Sequence, residues 1–250
     1  ALLGQMNVDY EHVPIYRRNI YGQNQIVGYC DSGLDTNSVF FYNSGVAVPK
    51  VTGWSIPSDT GHRKIRAYNR GASDTGDFDD IDEEMYGHGT HVGGSIAGNN
   101  QANNPETGIY DPADGMAPLA RLVFTDGAIG TNGIYTPADM NTMFEWARNC
   151  GAFIHTNSYG SSSPNYYNTS AQECDEFMWY NKDFIVMFAA GNENTDSPAT
   201  RVAVYNCAKN IVSVGASETG FGSSGGDWDV LGSTSNNDPE NMASFSTHGP

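Results

Sequence analysis

The sequence predicts an α/β fold built on a mostly parallel sheet, and three observations carry that prediction. Continuous apolar runs of strand length recur along the chain. Segments with helical spacing and helix-starting chemistry stand between them. Several runs end in Asp, Gly or Asn, where a turn must follow. Fully apolar runs suit parallel strands covered on both faces, and alternation of strand and helix implies right-handed crossovers within one sheet.

Gln25 to Cys30 is a short apolar run that stops at Asp31-Ser32-Gly33, a buried strand followed by a turn. Residues 74–84 carry Asp74, Asp77, Asp79, Asp80, Asp82, Glu83 and Glu84 and read as an acidic loop. Gly89 to Gly98 has small residues at helical spacing, and Leu122-Val123-Phe124 is the next strand. Thr136-Pro137-Ala138-Asp139 then opens a helix, with Thr136 as cap, Pro137 at the first position and Asp139 in the first turn. Met140, Met143, Phe144 and Ala147 follow at helical spacing, and Gly151 closes the helix. Ala152 to Thr156 is a strand. Ser170 and Glu173 have the spacing of a capping box, ahead of a face made by Cys174, Phe177 and Met178. Phe184 to Phe188 and Ile211 to Val214 are two further strands, and Gly220 to Glu240 reads as surface loop. No repeat or interdomain linker interrupts the series, so residues 1–250 are expected to belong to a single domain. In such sheets reactive groups gather beyond the carboxyl ends of the strands. That rule places Asp31 and the turn Ala189-Ala190-Gly191-Asn192 on one edge.

Bulk properties narrow the setting. Net charge is −17, from 29 acidic and 12 basic residues among 250. A surface of that sign is repelled by nucleic acid and by anionic membranes. It suits a solvated extracellular protein, or one that binds a hard cation such as calcium. No apolar run approaches the length of a membrane span. The first residue is Ala1, as expected of a processed or trimmed N-terminus. Cys30, Cys150, Cys174 and Cys207 contain no C-x-x-C pair. Their even number suggests two disulfides in a secreted protein, with three pairings open; four free buried thiols are the alternative. Asn168-Thr169-Ser170 is a glycosylation sequon.

Three motifs carry chemistry. Asp31-Ser32-Gly33 ends a buried strand, Gly87-His88-Gly89-Thr90-His91-Val92-Gly93-Gly94 opens a small-residue helix, and Ala189-Ala190-Gly191-Asn192-Glu193 ends a second buried strand. Taken singly, Asp-Ser-Gly and Gly-Asn are ordinary turns. The pair His88 and His91 has no third ligand at zinc-binding spacing, and His91 reads as packed beneath His88. In this order, and beside these elements, the three motifs resemble the subtilisin (subtilase) family of serine peptidases. The secreted alkaline branch with a following β-barrel domain is the most similar, through His155-Thr156-Asn157-Ser158-Tyr159-Gly160 and Ala243-Ser244-Phe245-Ser246-Thr247-His248-Gly249-Pro250.

The resemblance implies a subtilisin-like three-layer fold and an endopeptidase acting on polypeptides. His88 would be the general base, Asp31 its orienting carboxylate, and the Asn192 amide the donor to the oxyanion. Substrate would lie extended between residues 125–129 and 158–160, with Ser158, Tyr159, Gly160, Ala189, Ala190 and Gly191 lining the first pocket. Small residues there suit a roomy, apolar site. Calcium would be a structural ion, its ligands unknown because the loop Asn99–Gly115 is longer than the family's, and no catalytic cofactor is expected.

The family's serine, in a Gly-Thr-Ser stretch opening a later helix, does not occur before Pro250. Gly222-Ser223-Ser224-Gly225-Gly226 matches the G-x-S-x-G elbow in letters only, because a polar loop, Asp227-Trp228-Asp229, follows where a helix is required. The nucleophile is therefore expected beyond residue 250. The missing C-terminal part would be a partner, and without it an apolar sheet face would stay wet. A polypeptide-binding relative without activity, or a calcium-dependent adhesion domain, are the competing classes. Neither explains why Asp31, His88 and Asn192 are all present.

Overall fold

The computed structural model describes residues 15–70, 87–100, 111, 113–127, 134, 136–160, 166–192, 202–218 and 241–247. The acidic stretch 74–84 and the loop 220–240 lie outside them.

A seven-stranded sheet organises the chain. Its strands are β1 (Ile26–Asp31), β2 (Lys50–Val51), β3 (Ile65–Asn69), β4 (Arg121–Asp126), β5 (Ile154–Asn157), β6 (Ile185–Ala189) and β7 (Val212–Val214). They lie in the order β2-β3-β4-β1-β5-β6-β7, and each pairing between them is parallel. The expected strands appear within a residue or two. β2 and β3 were not legible: β2 has two residues, and Arg66 breaks the apolar run of β3.

Helices α1 (His88–Ala97), α2 (Met140–Asn149) and α3 (Thr169–Tyr180) connect the strands. Side chains alternate across the sheet, so β1, β3 and β4 feed cores on both faces. Val27, Tyr29, Ile65, Tyr68, Leu122 and Phe124 meet Ala97 of α1. From the opposite face, Ala67 and Val123 meet Trp146 and Ala147 of α2, while Val186 and Phe188 meet Phe144 of α2 and Phe177 of α3. Each such aromatic or branched side chain contributes about 1.5–3 kcal/mol on burial.

The helix ends differ from the sequence expectation. Asp139, not Thr136, caps α2: its backbone is extended and its carboxylate accepts from Asn141 N. Glu173 does not close a capping box with Ser170. It accepts from Met140 N at the start of α2, while Asn168 of the sequon caps α3 by accepting from Ala171 N. Gly151, just past α2, takes φ +99°, a conformation that favours glycine.

The expected disulfides are absent: Cys30, Cys150, Cys174 and Cys207 are free. Cys30 and Cys174 pack as small apolar groups in the core between sheet and α3, while Cys150 lies in the separate core beneath α2. Burial pushes the Cys150 thiol up to about 11, and pushes Cys30 and Cys174 up as well.

The α1 face is covered unevenly. On its β5-β6-β7 half, registered neighbours Ile154 and Ile185 are 36% and 42% exposed, and Val212 and Val214 are 45% and 50% exposed. Among the described residues, this half of the sheet has a helical layer on one side only.

Candidate active site

A parallel sheet sends the carboxyl ends of its strands to one edge, so Asp31, Asp126, Asn157 and Ala189 end β1, β4, β5 and β6 side by side. Asp31 is fully buried. Its Oδ1 accepts the backbone N–H of Ser32 at 2.8 Å and faces His88 Nδ1 at 2.6 Å. An ionised carboxylate only accepts, so Nδ1 donates and Nε2 is left as the basic nitrogen. His88 is the first residue of α1, with its side chain 39% exposed. One partner is thus locked in the sheet and the other open to a reactant.

The approach of α1 to the sheet sets this pair. Gly87 enters the helix at φ +75°. A Cβ on Gly89 would stand 2.2 Å from the Gly33 carbonyl oxygen and 3.0 Å from Asp31 Cβ. Glycine after His88 is therefore required for helix and Asp-Ser-Gly turn to meet. Ser32 Oγ accepts from Gly89 N at 3.1 Å, Tyr29 O–H donates to Gly89 O at 3.3 Å, and Thr90 Oγ1 accepts from Asp35 N at 2.8 Å. Tyr29 needs Gly93 in turn, since a Cβ there would lie 2.4 Å from its hydroxyl. Sequence reasoning missed Tyr29, Ser32 and Thr90; the glycines at 89 and 93, one helical turn apart, were the available signal. His91, expected beneath His88, is exposed on α1 instead. Among the described residues no group of three or more His, Cys, Asp or Glu side chains converges as a metal site.

The segments 158–160 and 189–191 follow neighbouring strands and share Ala203. A Cβ on Gly160 would lie 2.6 Å from Ala203 Cβ, and Ala203 N donates to Ala190 O at 3.1 Å. Ser158 is half-buried beside Gly160. Tyr159 packs its ring edge-on to Phe188 and Tyr205, and its hydroxyl donates to Asn157 Oδ1 at 3.1 Å. Asn206 Nδ2 donates to Ala189 O at 2.7 Å. Gly191 takes φ +122° and lies against Thr247, whose N–H donates to Gly191 O at 3.0 Å. Asn192, next in the chain, is exposed on this edge. His155 points into the opposite core, against Gly28 and edge-on to Phe144. Burial pushes its imidazole down to about 3. Arg121, at the start of β4, clamps Asp59 with its two terminal guanidinium nitrogens at 2.8 and 2.6 Å.

An imidazole held in one tautomer by a buried carboxylate, at the carboxyl edge of a parallel sheet, is the arrangement by which enzymes activate a hydroxyl or thiol nucleophile. Residues 22–250 match the subtilase family of peptidases, and the chain belongs to that family. It is 32% identical over 204 residues to the Dictyostelium discoideum serine protease/ABC transporter B family protein tagD, covering 79% of this chain and 10% of that protein. It is 30% identical over 224 residues to the Arabidopsis thaliana subtilisin-like protease SBT3.18, covering 79% of this chain and 28% of that protein. The chain thus spans between a tenth and just over a quarter of these relatives' length. The fold is similar to the psychrophilic subtilisin-like protease Apa1 of Pseudoalteromonas sp. AS-11, with TM-score 0.57, 20% identity, 99% of this chain and 43% of that one. A protease from Pseudoalteromonas arctica gives TM-score 0.57 at 18% identity, over 98% of this chain and 67% of that one.

Proposed function

We propose that this chain is the N-terminal part of one catalytic domain of a secreted serine endopeptidase, carrying the base, its orienting carboxylate and the oxyanion donor. The 2.6 Å contact between His88 Nδ1 and Asp31 Oδ1 carries the reading. His88 Nε2 takes the proton of a serine hydroxyl as its oxygen attacks the scissile carbonyl. Asp31 stabilises the imidazolium that forms. The Asn192 amide donates to the developing oxyanion, a role whose loss costs subtilisin about 10²–10³ in turnover. His88 then hands the proton to the leaving amine, and water repeats the cycle on the acyl-enzyme.

The serine belongs to a further segment of the same protein. Support comes from the half-bare α1 face of the sheet, which offers that segment an apolar seat. Thr247, in the stretch similar to the family's approach to its nucleophile, lies against Gly191. Substrate residues preceding the cleaved bond run extended between the end of β4 and Ser158–Gly160, and a large apolar side chain enters the pocket of Ser158, Tyr159, Gly160, Ala189, Ala190 and Gly191. Calcium is proposed as a structural ion from the charge of −17 and the family, without assigned ligands. Asp111 and Asp114 already accept from Asn100, Ala113 and Asp111 N–H groups, so they do not by themselves form a calcium cage.

Labelling of the full-length protein with a fluorophosphonate probe tests the proposal. Wild-type protein is expected to be labelled on a serine beyond residue 250, with labelling abolished in His88→Ala. Equal labelling of both proteins removes His88 from the mechanism. Chelation with EDTA is expected to lower the thermal midpoint, and an unchanged midpoint removes calcium.

A further inference from the structure

We infer that Asn168 is a modification site whose side-chain nitrogen carries an N-linked oligosaccharide while its side-chain oxygen caps α3. The inference rests on the secreted reading above and deepens it, because such a glycan is added in a secretory compartment.

The chain holds a single Asn-x-Ser/Thr triplet, Asn168-Thr169-Ser170. A triplet becomes a site only where the fold leaves its amide nitrogen open. Asn168 stands immediately before α3 with extended backbone, φ −115° and ψ −173°. The backbone N–H of Ala171 meets its side chain at 3.0 Å. That N–H donates and must face the oxygen, so Oδ1 turns toward the helix and Nδ2 turns away from it. Asn168 is half-buried, and among the described residues Nδ2 has no hydrogen-bond partner. A sugar attached at Nδ2 leaves the amide carbonyl intact, so the cap survives the modification.

Two exposed aromatic residues lead into the triplet. Tyr166 and Tyr167 are 59% and 45% exposed. Tyr167 is held in place: its hydroxyl donates to Asp175 Oδ2 at 3.0 Å, and Lys209 Nζ lies 5.2 Å from its ring centroid. Rings presented in this way give the apolar face of a pyranose a surface to lie on. A bulky, hydrophilic glycan then covers them from water. The layer that carries Asn168 also keeps the glycan out of the catalytic cleft, since α3 packs on the sheet face opposite α1 and His88.

The donor is a lipid-diphosphate-linked oligosaccharide. Transfer forms a bond between Nδ2 and the anomeric carbon of the first sugar. It breaks the bond from that carbon to the diphosphate oxygen, releasing the lipid diphosphate and the amide proton. No oxidation or reduction is involved. Ser170 lies in the first turn of α3, so an enzyme that reads the triplet as extended chain meets it before α3 has formed.

The test uses full-length protein expressed in a eukaryotic host and purified from the medium. Intact mass and peptide maps are compared before and after peptide N-glycosidase, which removes an N-glycan and converts its asparagine to aspartate. Wild type is expected to lose the mass of one glycan, with the conversion at Asn168. Ser170→Ala and Asn168→Asp are expected to abolish that loss while keeping a capping oxygen at 168. Both should therefore match deglycosylated wild type in thermal midpoint and in kcat/KM. Should the variants fail to fold, the wild-type peptide map still decides. Protein in the medium with unmodified Asn168, or a glycan that persists in Ser170→Ala, overturns the inference alone. Protein that stays inside the cell and unmodified overturns the secreted reading and the inference with it.

Discussion

Replacing Gly89 by Ala probes how closely the site depends on the approach of α1 to β1. The new Cβ would stand 2.2 Å from the Gly33 carbonyl oxygen, where real Cβ contacts essentially never fall below 3.0 Å. The obstacle is backbone, so rotamer change gives no relief, and helix and turn must separate by about 0.8 Å. Because His88 precedes Gly89 and Asp31 is two residues before Gly33, that movement opens the 2.6 Å contact past about 3.2 Å, the outer limit of a good hydrogen bond. A displacement near 1 Å at a reacting group costs roughly 10²-fold in rate, and overpacking destabilises by about 1–3 kcal/mol. The assay is kcat on a fluorogenic peptide, with the thermal midpoint measured in parallel on full-length protein. Gly94→Ala is the control, since its Cβ would meet nothing within 4 Å. It is expected to gain up to about 1 kcal/mol of helix propensity and to keep its activity. Wild-type kcat in Gly89→Ala would refute the argument that this contact positions His88.

Three other predictions follow from the packing. His155 is buried and its imidazole is pushed down to about 3, below the unfolded value of 6.5, so the unfolded chain binds the extra proton. Stability is therefore lost as pH falls from about 6.5 toward 3, and His155→Leu should flatten the fall in thermal midpoint between pH 7 and pH 4.5; an identical fall in both proteins contradicts this. Four thiols should react with Ellman's reagent in denaturant, Cys207 alone should react readily in the native protein, and dithiothreitol should leave the thermal midpoint unchanged, whereas a drop would reveal a disulfide. The isolated 250-residue chain should bind the dye ANS through Ile154, Ile185, Val212 and Val214, and the full-length protein should not; equal, weak binding by both would show that this face needs no further layer.

The relation between the two cores and the site accounts for why one residue type recurs here. Glycine at 28, 89 and 93 in each case lets a bulky or polar group approach the backbone: His155, the Gly33 carbonyl and Tyr29. These close approaches bring strand, helix and turn to hydrogen-bond distance, and the 2.6 Å pair at their junction is the result.

By itself the sequence determined five of the seven strands and the three helices, and it singled out Asp31, His88 and Asn192 as candidates, because each of these signals is local. An apolar run of five residues, a helical spacing of small side chains and a motif of three or four letters do not depend on distant partners. What only the tertiary structure decided depends on residues far apart in the chain. β3 is a strand because β4 lies beside it, despite Arg66. Glu173 caps a helix 33 residues earlier rather than its own. Arg121 is clamped to Asp59, 62 residues earlier, and the four cysteines stand as free thiols, Cys150 in a core apart from Cys30 and Cys174. His91 faces outward because Gly89 and Gly93, not His91, make the buried edge of α1. The same holds for Asp126, whose place beside Asp31 is a matter of strand register, and register is set by the packing of whole faces rather than by any short stretch of sequence.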